Sequence, residues 1–224
     1  MTIKVFFSLF FFIGFTLLHA QKLKFKAPDY PLIEKNIQDK NSELYYPKLL
    51  KRLQQNDTLL TNDQYRHLYF GYLFQKSYNP YKISKKAEEM TRYYRGEGIT
   101  EKDLPKGIQL FKEALEENPL DIRAMNYLAY MYHLINDEGA AKKIAENFRG
   151  LLEAILSSGD GLTCETGFHV ISVTDEYVMM NRFQMESISQ SYKGQCDYQK
   201  FEKDKYTVPG LYFNVSKFYG KILD

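Results

Sequence analysis

The hydrophobic period of this chain changes once along its length. Up to Ser157 apolar residues recur every three or four positions, and beyond it they alternate in short runs between glycine and proline turns. A period near 3.6 buries one face of a helix, whereas a period of two buries one face of a strand. The 224-residue chain is therefore expected to be α+β, with a helical region first and a small antiparallel sheet after it.

The helical part is punctuated by residues suited to helix ends. Pro31 opens a segment carrying Leu32, Ile33 and Ile37, and Pro47 opens one carrying Leu49, Leu50 and Leu53. Proline fits a first helical turn because its missing N–H has no partner there anyway. Thr61-Asn62-Asp63-Gln64 is a capping-box pattern, and the helix that it starts carries Tyr65, Leu68, Tyr69 and Tyr72. Asn79-Pro80 breaks the chain. Ser84 then caps a helix that ends at Gly96 and Gly98.

Residues 100–158 read as three long helices, at about 101–118, 121–135 and 137–157, separated by Asn118-Pro119 and Asn136-Asp137. Gly107, Phe111, Ala114 and Pro119, followed by Leu128, Ala129, Tyr132 and Ala141, place small and large residues at fixed intervals. This pattern resembles the tetratricopeptide repeat. It implies close helix contacts at Ala114 and Ala129, with Phe111 and Tyr132 filling the adjacent spaces. Phe148 and the glycines upstream of Leu104 depart from it.

After Ser158-Gly159-Asp160-Gly161 the strand signals begin. Phe168–Val173, Phe183–Glu186 and Leu211–Val215 alternate, Gly194 marks a turn before Cys196, and Asp175–Met180 fits either helix or strand. The expected organisation is a signal peptide over 1–20, a helical region over 21–158, and a β-rich region over 159–224 packed on the helices.

The signal peptide rests on Lys4, the apolar run Val5–Leu18 with its six phenylalanines, and the small Ala20 before a polar, lysine-rich stretch. That run is shorter than the ~20 residues that span a bilayer. Cleavage after Ala20 leaves no cysteine at the cut for lipid attachment. The expected product is exported, soluble, periplasmic or extracellular, and without stable membrane insertion. In an oxidising compartment Cys164 and Cys196 are a candidate disulfide; free thiols are the alternative. Thirty basic against 28 acidic residues give no electrostatic case for nucleic acid.

Several phrases carry a family resemblance. They are Phe25–Tyr30, Tyr46–Leu49, Tyr65–Tyr72, Asn79–Tyr81, Glu165–Ile171, Asp175–Tyr177 and Gly210–Val215. Together they resemble the exported Bacteroides-type proteins grouped as domain-of-unknown-function family 4919. The resemblance implies export and supplies no catalytic residue.

Catalytic chemistry finds little support. His67, His133 and His169 are far apart, and HExxH, CxxC, phosphate-loop and GxSxG motifs are missing from the sequence. No metal or cofactor is expected. Cys164 and His169 stand five apart, which on one strand puts them on opposite faces and argues against a nucleophile–base pair. Tyr65, Tyr69 and Tyr72 share a helix face better read as core than as an aromatic groove, with His67 pointing away. The leading expectation is a non-catalytic module that binds a protein or peptide in a tetratricopeptide-like groove, using Asn126, Tyr130 and His133. One alternative is a periplasmic hydrolase of peptides or glycans built on Asp175 and Glu176, adjacent carboxylates more simply read as a solvated turn. A structural accessory of an envelope complex is the other.

Overall fold

The computed structural model describes residues 25–96 and 98–219. The expected leader and its cleavage point lie outside them. Seven α-helices precede the sheet among the described residues: α1 (Tyr30–Gln38), α2 (Tyr46–Gln54), α3 (Asn62–Gly71), α4 (Ala87–Arg95), α5 (Leu104–Glu117), α6 (Ile122–Leu134) and α7 (Glu138–Leu156). Then come β1 (Phe168–His169), α8 (Val173–Arg182), β2 (Ser187–Lys193), β3 (Cys196–Phe201), β4 (Gly210–Asn214) and the short α9 (Ser216–Tyr219). The expected α+β class is what the structure shows.

The helix starts follow from side chains that satisfy the free N–H groups of a first turn. Asp29, Thr61, Asp121, Asp137 and Ser172 each accept the backbone N–H three residues on, opening α1, α3, α6, α7 and α8. Each such cap is worth about 1 kcal/mol. At Thr61 the box is reciprocal, because the Gln64 side chain also accepts the Thr61 N–H. Pro31 and Pro47 sit in the first turns of α1 and α2.

Packing is organised around α3 and α7. α3 lies against α1, α2 and α7, while α5, α6 and α7 pack in succession. Gly107 lets α5 approach the Tyr93 ring and Met131, either of which a Cβ would meet at under 3 Å. Gly150 does the same on α7, where an added Cβ would lie 2.2 Å from the Tyr65 ring. The Tyr65 hydroxyl then donates to Asn147 Oδ1 at 2.7 Å, so the crossing is fixed by shape and by a hydrogen bond. Gly150→Ala is expected to cost about 1–3 kcal/mol by overpacking, read as a lower denaturant midpoint at unchanged slope. An unchanged midpoint would show that the α3–α7 crossing yields freely.

The sheet has the order β1-β4-β3-β2. β2–β3 and β3–β4 are antiparallel, but β1 runs parallel to β4, pairing Phe168 with Phe213. The sheet is thus mixed, not wholly antiparallel. Alternation also overstated two strands. Val170 and Ile171 are both buried, so that segment has no solvent face, and Ser172 diverts the chain into α8, which makes residues 175–180 helical. Between α8 and β2, Gln184 has φ of 56°, a left-handed turn that an extended strand cannot contain.

One contiguous core joins helices to sheet, from Ile33 through Phe70, Phe111 and Ile155 to Phe168, Phe213 and Phe218. Before α1, the Lys26 N–H donates to Ser157 O and the Lys26 carbonyl accepts from Arg66, which ties the lead-in to the end of α7. The loop after α7 closes on itself through Asp160 and Gly161 N–H groups donating to Thr166 O. It docks on the sheet where Tyr212 N–H donates to Gly161 O. Cys164 in this loop is bonded to Cys196 at the start of β3, with Cα atoms 5.8 Å apart. Among the described residues no helix is long and apolar enough to cross a membrane.

Candidate functional site

The outer face of α6 carries Asn126, Tyr130 and His133, spaced four and three apart and therefore neighbours along one stripe. Met125, Leu128 and Ala129 point the other way into the core. Tyr130 is 56% exposed. His133 Nδ1 lies 2.6 Å from Glu138 Oε1 at the start of α7, an exposed pair worth little to stability.

Asn126 borders a concavity, lying at the rim of an open cleft of about 260 Å³ between α6, α7 and α8. Phe148 and Val178 give it apolar lining, Asn181 on α8 matches Asn126 with a second side-chain amide, and Arg123 and Arg182 bring positive charge. Tyr130 and His133 continue along the helix beyond that lining. The α8 side of the cleft was not legible in the sequence, because α8 reaches α6 only through the tertiary fold.

A second cleft, of about 330 Å³, lies on the opposite side of α6. Met125, Leu128 and Tyr132 from α6 meet Leu53 of α2, Leu115 of α5 and Ile144 of α7 there. Periodicity marks each of these as a buried-face residue but cannot show that α2 stops short of filling the space.

Cys164 and His169 do not form a nucleophile–base pair. The thiol is bonded to Cys196, and the buried His169 lies 3.0 Å from the Tyr30 hydroxyl through Nδ1. Burial, with Arg66 and Lys217 nearby, lowers its pKa to about 4, so it is neutral and shares one hydrogen bond with Tyr30 whose direction its tautomer sets. His67 is buried as well. Its Nδ1 is 2.8 Å from Asp63 O and its Nε2 3.1 Å from the Asn36 amide nitrogen, so both ring nitrogens have partners. Among the described residues no group of three or more His, Cys, Asp or Glu could hold a metal ion.

A family model describing a domain of unknown function, DUF4919, matches residues 31–223. The chain belongs to the DUF4919 family. No curated protein and no solved structure matches it. Phrases that carried the resemblance fall on core-building pieces of this DUF4919 chain, Tyr65–Tyr72 on α3 and the turn that follows it and Gly210–Val215 on β4 and the residue after it, so they report the fold more than a site.

Asp175 and Glu176 are where this DUF4919 structure departs furthest from a solvated turn. They do face different ways, yet both are buried, at 2% and 0% exposure. Asp175 turns to the helices and accepts from the Tyr69 hydroxyl at 2.6 Å. Burial raises its pKa to about 7 despite that bond and the one to Ser172. Glu176 turns to the sheet, where Gln199 donates to its Oε2 at 2.7 Å. Burial, reinforced by Asp197, raises Glu176 to about 9. Its Oε1 is buried without a partner, which is unfavourable for a carboxylate but natural for a protonated acid whose O–H can turn toward Asp197. Asp197 in turn accepts from Gln190 at 2.8 Å. Asp175 lines a polar cavity of about 50 Å³, room for water but not for a peptide or sugar. Asp175 is thus built into the contact of α8 with α3, and Glu176 into that of α8 with the sheet.

Proposed function

We propose that this DUF4919 chain is an exported, non-catalytic binding module that takes a peptide segment of a partner protein along the outer face of α6. The observation that carries the reading is the position of Asn126, which belongs at once to the exposed Asn126–Tyr130–His133 stripe and to the rim of the α6–α8 cleft. A stripe alone is a solvated helix face. A stripe opening into a concavity with apolar lining and paired amides offers a peptide both an anchor pocket and backbone partners. The tetratricopeptide-like pattern from Gly107 to Ala141 supports the same use of α6. Export is supported by the leader pattern and by the bonded cysteine pair, since disulfides persist in oxidising compartments.

The test is selection of a random peptide library on the purified mature protein, followed by affinity measurement on N126A and Y130A. Both residues are exposed, so neither change threatens the fold. Enriched peptides are expected to bind at least about tenfold more weakly to N126A, equivalent to about 1.4 kcal/mol. Peptides that bind both variants as tightly as the wild type would remove α6 as the binding surface.

A further inference from the structure

The α6–α8 cleft carries a chemical preference that the stripe itself does not. Arg123 and Arg182 line it from its two helical walls, and no Asp or Glu shares the lining. Neither arginine forms an ion pair among the described residues, whereas Arg52, Arg92 and Arg149 do. The nearest acid to Arg123 along the chain, Asp121, attracts it electrostatically but forms no direct ion pair with it, its carboxylate capping α6 through the Ala124 N–H at 2.9 Å. Two like charges bordering one concavity repel each other until an anion lies between them.

Arg123 is also held in place. Its guanidinium lies over the Tyr94 ring, 3.8 Å from the centroid. Stacking engages the flat face of the group and leaves its N–H edge free to donate, and a pre-positioned arginine loses less freedom when it binds a carboxylate. Between the charges, Asn126 and Asn181 can each donate and accept, which matches the alternating groups of a peptide backbone. Phe148 and Val178 supply an apolar surface beside them.

We infer that the cleft binds an acidic peptide, with an Asp or Glu carboxylate between Arg123 and Arg182 and an adjacent apolar side chain against Phe148 and Val178. This rests on the peptide-groove reading and adds ligand chemistry to it. A bare inorganic anion would use the arginines but leave the apolar lining and the amides idle.

The experiment takes the most enriched peptide from the selection and measures its affinity by fluorescence anisotropy, beside a version with each acidic residue changed to its amide. Wild type, R123Q/R182Q and N126A are compared at low and raised sodium chloride, with circular dichroism confirming that each variant is folded. Enriched sequences are expected to carry an acidic residue next to an apolar one. Amidation and R123Q/R182Q should each weaken binding at least about tenfold, and the double change should be far less than additive because both remove one interaction. Raised salt should weaken only the acidic peptide. Neutral enriched peptides, or equal binding of acid and amide forms, would overturn the acidic preference while a loss on N126A keeps the groove. Binding indifferent to N126A and to R123Q/R182Q would overturn both. A polyanionic glycan that displaces every selected peptide and binds more tightly than any of them would overturn the acidic-peptide inference in favour of that class.

Discussion

Between about pH 7 and about pH 9 the protein is expected to lose stability steadily, and Glu176→Gln is expected to abolish most of that loss. Glu176 is raised from its ordinary value to about 9 by burial and by Asp197. In this window the unfolded chain has already released the proton while the folded chain still holds it. Stability falls with pH wherever the folded state binds more protons, on the order of 1 kcal/mol per pH unit for one proton. Asp175, raised to about 7, adds a slope of the same sign at lower pH. His169, lowered to about 4, acts in the opposite sense up to its unfolded value near 6.5, so it offsets part of the acid-side slope. His169 has finished titrating by about pH 7 and Asp175 by about pH 8, so over the upper half of the window Glu176 stands nearly alone. The loss over two pH units is about 2–3 kcal/mol, or roughly 5–10 °C in Tm for a chain of this size. Glutamine at 176 mimics the protonated acid, since it can donate to Asp197 and still accept from Gln199. Thermal melts of both proteins across the range decide the matter. Parallel profiles would mean that Glu176 is ionised in the folded state.

Removing the Cys164–Cys196 bond is expected to cost roughly 3–4 kcal/mol, the chain-entropy value for the closed loop that its 32-residue separation defines. C164A/C196A deletes the bond without leaving thiols to react. Its denaturant midpoint should fall, and reductant should move the wild type by a similar amount while leaving the variant untouched. The bond holds the loop after α7 against the start of β3, and that loop touches the sheet again at Tyr212. Locally increased amide exchange in residues 159–167 of the reduced protein would therefore accompany the loss. A reduced protein as stable as the oxidised one would contradict the loop-closure account.

Much of the helical layer was legible because its signals are local. Pro31, Pro47, the Thr61–Gln64 box and the acids at 121 and 137 act within one turn of the residue that they serve, and the helices begin where those residues stand. The sheet was less legible because pairing is not local. Nothing in the sequence around Phe168 says that its partner is Phe213, nor that the two strands run the same way. Alternation misled at residues 170–173, where a segment covered on both sides has no polar face to show. Asp175 and Glu176 misled most, since two adjacent acids at a helix start fit an exposed first turn equally well. Their burial depends on Tyr69 and Gln199, 106 and 23 residues away. For the cleft, Asn126 was identified from helical spacing, but Arg182 and Asn181 join it only once α8 has folded against α6.

The parallel pairing of β1 with β4 has a consequence for the order of events in synthesis. β1 at residue 168 and β4 at residue 213 are neighbours in the sheet, and β4 also links β1 to β3. A chain emerging from the ribosome N-terminus first can gather α1 to α7 long before Gly210 exists. It can even form the β2–β3 hairpin, whose partners are close in sequence. β1 then waits, with Phe168 lacking its Phe213 neighbour, until residues 210–214 have been made. Phe213 and Phe218 are 0% exposed in the finished protein. A nascent chain that stops before Gly210 thus holds every helix up to α8 and three of the four strands, yet lacks the strand that joins β1 to β3.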